Sequence, residues 1–244
     1  MVHESAAVGF ARSADAYERA RPEYPDDAMA WLAERLGLGR GVMVVDLAAG
    51  TGKLTRRLLG TGATIVAVEP VAEMRAALPA DATVHDGVAE AIPLGDATAD
   101  ALTVGQAFHW FDGDRALGEI HRVLRPGGGL ALVWNRRHLG DPLQAAIQEL
   151  LAPYRYDVPA HGTDQWRGAF ERTSHFAPAQ DREFAFVQRL DADGLADRVG
   201  STSFIAALPE RERAPVLERA RALAAGGTVS LPYRCEVGTW VRRS

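Results

Sequence analysis

Cysteine is almost absent: Cys235 stands alone in 244 residues. One thiol cannot close an internal disulfide, so the chain must hold together by packing, and a reducing compartment suits it. Long apolar runs are missing as well. No stretch approaches the ~18 apolar residues of a membrane-spanning helix. The N-terminus, MVHESAAVGFARSADAYERA, lacks the apolar segment of a secretory signal. The expectation is a cytoplasmic protein with no membrane partner. Positive charge is not in excess either. Lys and Arg number 27 against 32 Asp and Glu, a formal net charge of −5, which speaks against a nucleic-acid partner. There is no repeat, no low-complexity tract and no dominant linker. His85, His121, His138, His161 and His175 show no paired ligand spacing, so no metal is expected.

What is present is a chain with 47% apolar and 24% charged residues, long enough to bury a full core. Val42–Leu47 and Ala63–Pro70 read as buried strands, with a helix at Lys53–Leu59 between them and a short one at Val71–Leu78 after them. Ala82–Gly87, Ala99–Gln106 and Gly129–Asn135 continue as strands. Leu117, Ile120 and Leu124 share a helix face that RPGG (Arg125–Gly128) is expected to terminate. Arg182–Leu190 alternates like a strand, and helices are expected at Ala192–Val199 and Pro209–Ala224. Tyr233–Arg243 then reads as a closing strand at the sheet edge. Apolar strands joined by helices imply a parallel sheet covered on both faces, and right-handed crossovers make it doubly wound. The predicted class is α/β: a mostly parallel Rossmann-like sheet of about seven strands, with an antiparallel edge strand and a small cap insertion.

Ligands of such sheets bind at the carboxyl ends of the strands. VVDLAAGTG (Val44–Gly52) sits at one of these ends. Gly50 and Gly52 would let the backbone turn and approach a ligand, and the helix from Lys53 presents free N–H groups. Glu69 ends the next strand, where a carboxylate can accept both hydroxyls of a ribose. Together these features point to an adenosine-containing cofactor. A dinucleotide fingerprint would need a third glycine, and Lys53, Leu54 and Thr55 supply none. Asp46 would also repel a pyrophosphate, whereas it suits a cationic or ammonium-bearing ligand. S-adenosylmethionine has an amine, a sulfonium and a ribose, and no phosphate.

Blocks in order along Val42–Asn135 carry a family likeness: VVDLAAGTGKLT, VAVEPVAEM, GVAEAIPL, QAFHWFD and EIHRVLRPGGGLALV, with AYERARPEYP before them. The chain resembles the class I S-adenosylmethionine-dependent methyltransferases, in particular the small-molecule group of ubiquinone-biosynthesis and trans-aconitate type. The resemblance implies the following cofactor contacts. Asp46 would orient the loop and the methionine amine, with Ala48, Gly50, Thr51 and Gly52 lining the cofactor. Glu69 would hold the ribose, with Pro70 and Met74 flanking the adenine and Ala89 and Glu90 at its rim. Gln106 and Ala107 would lie at the sulfonium end. Tyr17 and Arg21 would close over the methionine carboxylate, and Trp110 would stack on the cofactor or pack in the core. Two departures stand out. Ala48 replaces a glycine, tolerable where φ is negative. Val88 takes the place of an acid, leaving the adenine amino group to Asp86 or a backbone carbonyl.

The implied activity is methyl transfer to a small-molecule acceptor at O, N or C, by a monomer or homodimer. His109 is the candidate general base, with cofactor contact or core packing as its other possible roles. A nicotinamide-dependent oxidoreductase, and a protein of this fold that binds S-adenosylmethionine without transferring methyl, are the alternatives. As one domain, 1–244, the chain divides into an N-terminal helical cover (1–40), a cofactor-binding core (41–136), a cap or insertion shaping the acceptor pocket (137–181), and closing strands and helices (182–244).

Overall fold

A computed structural model of the protein describes residues 20–155 and 166–244. At its centre is β1 (Met43–Leu47), whose last four residues are buried. It pairs in parallel with β2 (Thr64–Val68) on one side and β4 (Ala99–Gly105) on the other. Beyond β2 lies β3 (Thr83–His85), and beyond β4 lies β5 (Leu124–Arg137), both parallel. Two long strands complete seven: β7 (Val229–Arg242), antiparallel to β5, and β6 (Phe176–Leu190), antiparallel to β7. The order is β3-β2-β1-β4-β5-β7-β6. The chain leaves β1 in one direction and returns through β4 in the other, so the topological switch point lies between the carboxyl ends of β1 and β4.

Helices cover both faces. On one, α1 (Asp26–Leu36) and α2 (Lys53–Leu59) bury Trp31, Leu32, Leu54 and Leu58 against Val44, Ile65, Ala131 and Val133. On the other, α4 (Gly113–Val123), which follows the four-residue α3 (Ala72–Arg75), buries Leu117 and Ile120 against Leu102, Leu130 and Leu132. Each such Leu or Ile contributes roughly 1.5–3 kcal/mol on leaving water. Between β5 and β6 come α5 (Pro142–Leu151) and α6 (Arg167–Arg172). A third apolar cluster joins α5 to α7 (Ala192–Gly200), α8 (Ser203–Ala206) and α9 (Glu210–Ala222), built on Leu231 and Tyr233 of β7. Because Tyr233 pairs with Arg137, the last residue of β5, this helical lobe rises from the carboxyl end of the parallel sheet.

Several expected boundaries move. RPGG does not cap α4: the helix closes on Leu124 in an extended conformation, and Arg125–Gly128 enter β5 as an irregularity in its pairing with β4, with Gly127 at φ +77°. The glycines serve a bulge there. The 137–181 insertion is smaller than its proline content suggested, since β5 runs to Arg137 and β6 starts at Phe176. β7 is antiparallel as expected, but it lies inside the sheet and β6 forms the edge.

The N-terminal segment is fastened across these layers. Asn135 Nδ2 donates to the Pro22 and Glu23 carbonyls (3.4 and 3.2 Å), and Gln188 Nε2 donates to Ala20 O (2.9 Å). Arg21 Nη2 donates to Ser201 O in the lobe (2.8 Å). Tyr24 is buried, and its hydroxyl would lie 2.7 Å from a Cβ added at Gly105. Gly105→Ala should therefore destabilise the protein by about 1–3 kcal/mol, as overpacking does. The double variant with Tyr24→Phe, which removes that oxygen, should recover most of the loss in a denaturant titration. An equal loss in both backgrounds would mean that Tyr24 is not the obstacle.

Candidate active site

Asp46 is fully buried near the carboxyl end of β1. Its carboxylate accepts from Thr55 Oγ1 of α2 (2.6 Å) and from Thr103 Oγ1 of β4 (3.2 Å). Hydroxyl donors only partly offset the loss of water, and nearby Glu69 adds repulsion, so burial pushes the acid up to about 7. Glu69, at the end of β2, is 4% exposed. One carboxyl oxygen accepts from Gly50 N (2.8 Å) and the other from Val71 N (2.9 Å), so the side chain clips the β1–α2 loop to the start of α3. Burial raises its pKa too, against the pull of those two amides. Arg75 approaches from behind. It donates to the Glu69 carbonyl (2.8 Å) and pairs with Asp86 (3.1 Å).

A cleft opens at the end of these strands. It is lined by Arg21, Pro22 and Tyr24 of the N-terminal segment, by Asp46 and the loop Ala48–Thr51, by Lys53 and Leu54, and by Gly105 and Gln106 past β4. The backbone here is strained. Three residues other than glycine have positive φ among those described; Ala48 (+55°) and Gln106 (+57°) flank the switch point, and Ala97 (+49°) lies elsewhere. The condition under which alanine is easily accommodated at this position, a negative φ, is thus not met. Its Cβ is tolerated in a conformation that disfavours it by roughly 1–2 kcal/mol. Strain of this kind concentrates where a fold must present backbone to a ligand.

Of the residues singled out in the sequence, the structure gathers Arg21, Asp46, Ala48, Gly50, Thr51 and Gln106 around the cleft. Glu69 touches it through Gly50, and Met74 Sδ lies 3.8 Å from where a Gly50 Cβ would be. Gly52 does something other than clear space for a ligand. At φ +90°, its missing Cβ makes room for Pro79 and Leu78, 2.9 and 3.0 Å away. Pro70, Met74, Ala89, Glu90, Ala107, His109 and Trp110 do not line this cleft. Ala89 is in the core, Glu90 accepts from Asp112 N (2.9 Å), and His109 and Trp110 pack ring against ring at 5.0 Å in the 3-10 turn Phe108–Trp110. Tyr17 lies outside the described residues.

Other contributors to the cleft were not among the residues singled out in the sequence. Tyr24 and Pro22 belong to a block whose likeness was noted, but nothing in their spacing marks them. Lys53 did leave a signal, since a lysine in the first helical position opposes the helix dipole. Its ammonium is largely buried and pairs with Glu23, tying the N-terminal segment to the loop. Among the described residues no group of three or more His, Cys, Asp or Glu is placed to hold a metal, and no helix is long and apolar enough to cross a membrane.

Comparison with known proteins identifies the family of this fold. The methyltransferase-domain family profile matches residues 45–132, from β1 into β5. An uncharacterized methyltransferase of Mycobacterium bovis is 38% identical over 238 residues, 93% of either chain. A methyltransferase-like protein of Schizosaccharomyces pombe is 36% identical over 205 residues, covering 82% of this chain and 79% of its own. The solved structure of a type II methyltransferase candidate from Anaeromyxobacter dehalogenans superposes with a TM-score of 0.68 at 24% identity, over 91% of this chain and 97% of that one, which speaks for the fold. With likeness of this extent to the relatives in sequence, running through the strands that carry Asp46, Glu69 and Gln106, the chain belongs to the methyltransferase family.

Proposed function

We propose that the protein binds S-adenosylmethionine in the cleft over β1 and β4 and directs its methyl group to a small-molecule acceptor beneath the helical lobe. The observation that carries this reading is Asp46: a buried carboxylate, held by neutral donors with no cation against it, beside a cleft and a second buried carboxylate. Such a site attracts a cation and repels a pyrophosphate, which disfavours a nicotinamide dinucleotide. Bound S-adenosylmethionine supplies an activated methyl group. Asp46 would hold its ammonium, and the second lone pairs of the Glu69 oxygens would accept from its ribose hydroxyls. The adenine would extend beyond the cleft, past the end of β2, toward Pro70, Met74, Ala89 and Glu90, while Ala48, Gly50, Thr51 and Gln106, with Ala107 just outside the cleft, would follow the methionine and sulfonium. Arg21 fits the methionine carboxylate as a charge-assisted donor, with Tyr17 beside it. The chain's work is then alignment and exclusion of water, and a base is needed only where the acceptor must lose a proton.

Three outcomes test the site. Because the folded-state pKa of Asp46 stands near 7 and the unfolded value near 3.8, folding takes up a proton in that window. Stability of the ligand-free protein should fall as pH rises from about 4 to 7. A cation favours the charged form, so affinity for S-adenosylmethionine should rise over the same range as the ligand displaces that proton. Asp46→Asn should flatten both profiles, measured by thermal melts and titration calorimetry. Unaltered profiles in the variant would place the proton elsewhere.

Glu69→Ala removes acceptors from two backbone amides and a diol. Affinity should drop about 5- to 150-fold, and stability should drop by roughly 1–3 kcal/mol. An unchanged dissociation constant would place the ribose elsewhere. For His109→Ala the expected result is weakened cofactor binding or stability, since its ring packs on Trp110. A loss of roughly 10²–10⁴ fold in single-turnover rate at saturating cofactor, with stability intact, would make it the general base instead.

A further inference from the structure

A second, small cavity lies where the carboxyl end of β5 meets the lobe. Arg137, Gln144, Arg198, Thr202 and Tyr233 are among its lining residues. Arg137 Nη2 donates to Gln148 Oε1, but Nη1 is buried with no hydrogen-bond partner among the described residues. Arg198 donates through Nε to Tyr233 Oη (3.0 Å). Among the described residues, neither arginine pairs with a carboxylate. Burial, and then the like charges of Arg198, Arg21 and Arg155, pull the Arg137 pKa down to about 10. An unpaired buried guanidinium is unfavourable in the free protein and is a ready partner for a planar or tetrahedral anion, which its fork can bind through two N–H groups.

The place of this cavity matters as much as its charge. Gln106 N donates to Val133 O (2.8 Å), so the exit of β4 sits against β5 four residues before Arg137. Arg21 lines the cofactor cleft and also holds Ser201 O, next to Thr202 of the second cavity. The two spaces therefore lie on either side of Arg21. We infer that Arg137 and Arg198 bind a carboxylate or phosphate group of the acceptor, so that the methylated molecule is a small anion. This rests on the methyl-transfer reading above. It assigns the lobe a specific task, to hold the acceptor by its charge while the reacting atom faces the β4 exit.

The test uses succinate and inorganic phosphate as probes, each titrated into the ligand-free protein against chloride at matched ionic strength, with thermal shift as the readout. At least one of the two should raise the melting temperature, and which one does so separates carboxylate from phosphate. Arg137→Gln and Arg198→Gln should each need at least tenfold more anion for the same shift. Arg137→Lys, which keeps the charge and loses the fork, should fall between. Without anion, Arg137→Gln should melt at or above the wild-type temperature, because it removes an unpaired buried charge. No shift with either anion, or an equal shift in wild type and Arg137→Gln, would overturn the inference. Affinity for S-adenosylmethionine, measured separately by calorimetry, should be the same in wild type and Arg137→Gln. If the wild type fails to bind it, the methyl-transfer reading falls, and the anion titrations still decide on the arginine site.

Discussion

The site turns on one buried acid. Asp46 lies at the carboxyl end of the central strand, sealed from water, with a threonine donating from the helix that follows and another from the neighbouring strand. A carboxylate in such a place disfavours its own charge, and folding must offset that through the surrounding sheet. What it provides is a fixed acceptor at the switch point, beside the cleft, with its hydrogen bonds to Thr55 and Thr103 setting its orientation. Glu69 extends the same logic by one strand. Its two oxygens hold Gly50 and Val71 in place, so the loop that would meet a ligand is shaped before any ligand arrives.

The cleft exists because other parts of the chain close around this pair. The sheet supplies only a floor. Residues 20–24 are drawn over it by Asn135, Gln188 and the Ser201 carbonyl, three anchors from two strands and the lobe. Their ordering couples the N-terminal wall to the C-terminal helices, although these lie far apart in sequence. The strands β6 and β7 are long because they carry the lobe past the end of the parallel sheet, where the acceptor would sit.

Much of this was legible in the sequence, for physical reasons that can be named. Strand runs such as VVDL and TIVAV are apolar because both faces are covered, and their order implied the doubly wound sheet. Asp46 and Glu69 stood out because a carboxylate at the end of a buried strand needs a reason. Other features depended on long-range packing. RPGG looks like a helix cap locally, and only the pairing of β5 with β4 turns it into a bulge. Gly52 looks like a loop glycine kept small for a ligand, yet the atoms that exclude a Cβ belong to Leu78 and Pro79. Tyr24 reaches Gly105 across 81 positions, which no local pattern reveals.

The arginines show the same limit from another side. Arg136 and Arg137 are adjacent in sequence and alike in composition, but strand alternation sends them to opposite faces. Arg136 meets Glu236 across the strands at 3.0 Å and is neutralised. Arg137 turns under the lobe, where the neighbouring charges are three more arginines. Charge counting along the chain, with its net −5, hides a local concentration of positive charge beside a pair of buried acids. That arrangement separates two kinds of recognition within one site. On the proposed reading, Asp46 would favour the cationic end of a donor, and the guanidinium groups on β5 and α7 would favour an anion arriving from the other side. A positively charged donor and a negatively charged acceptor, each held from its own side of Arg21, would then meet at the exit of β4.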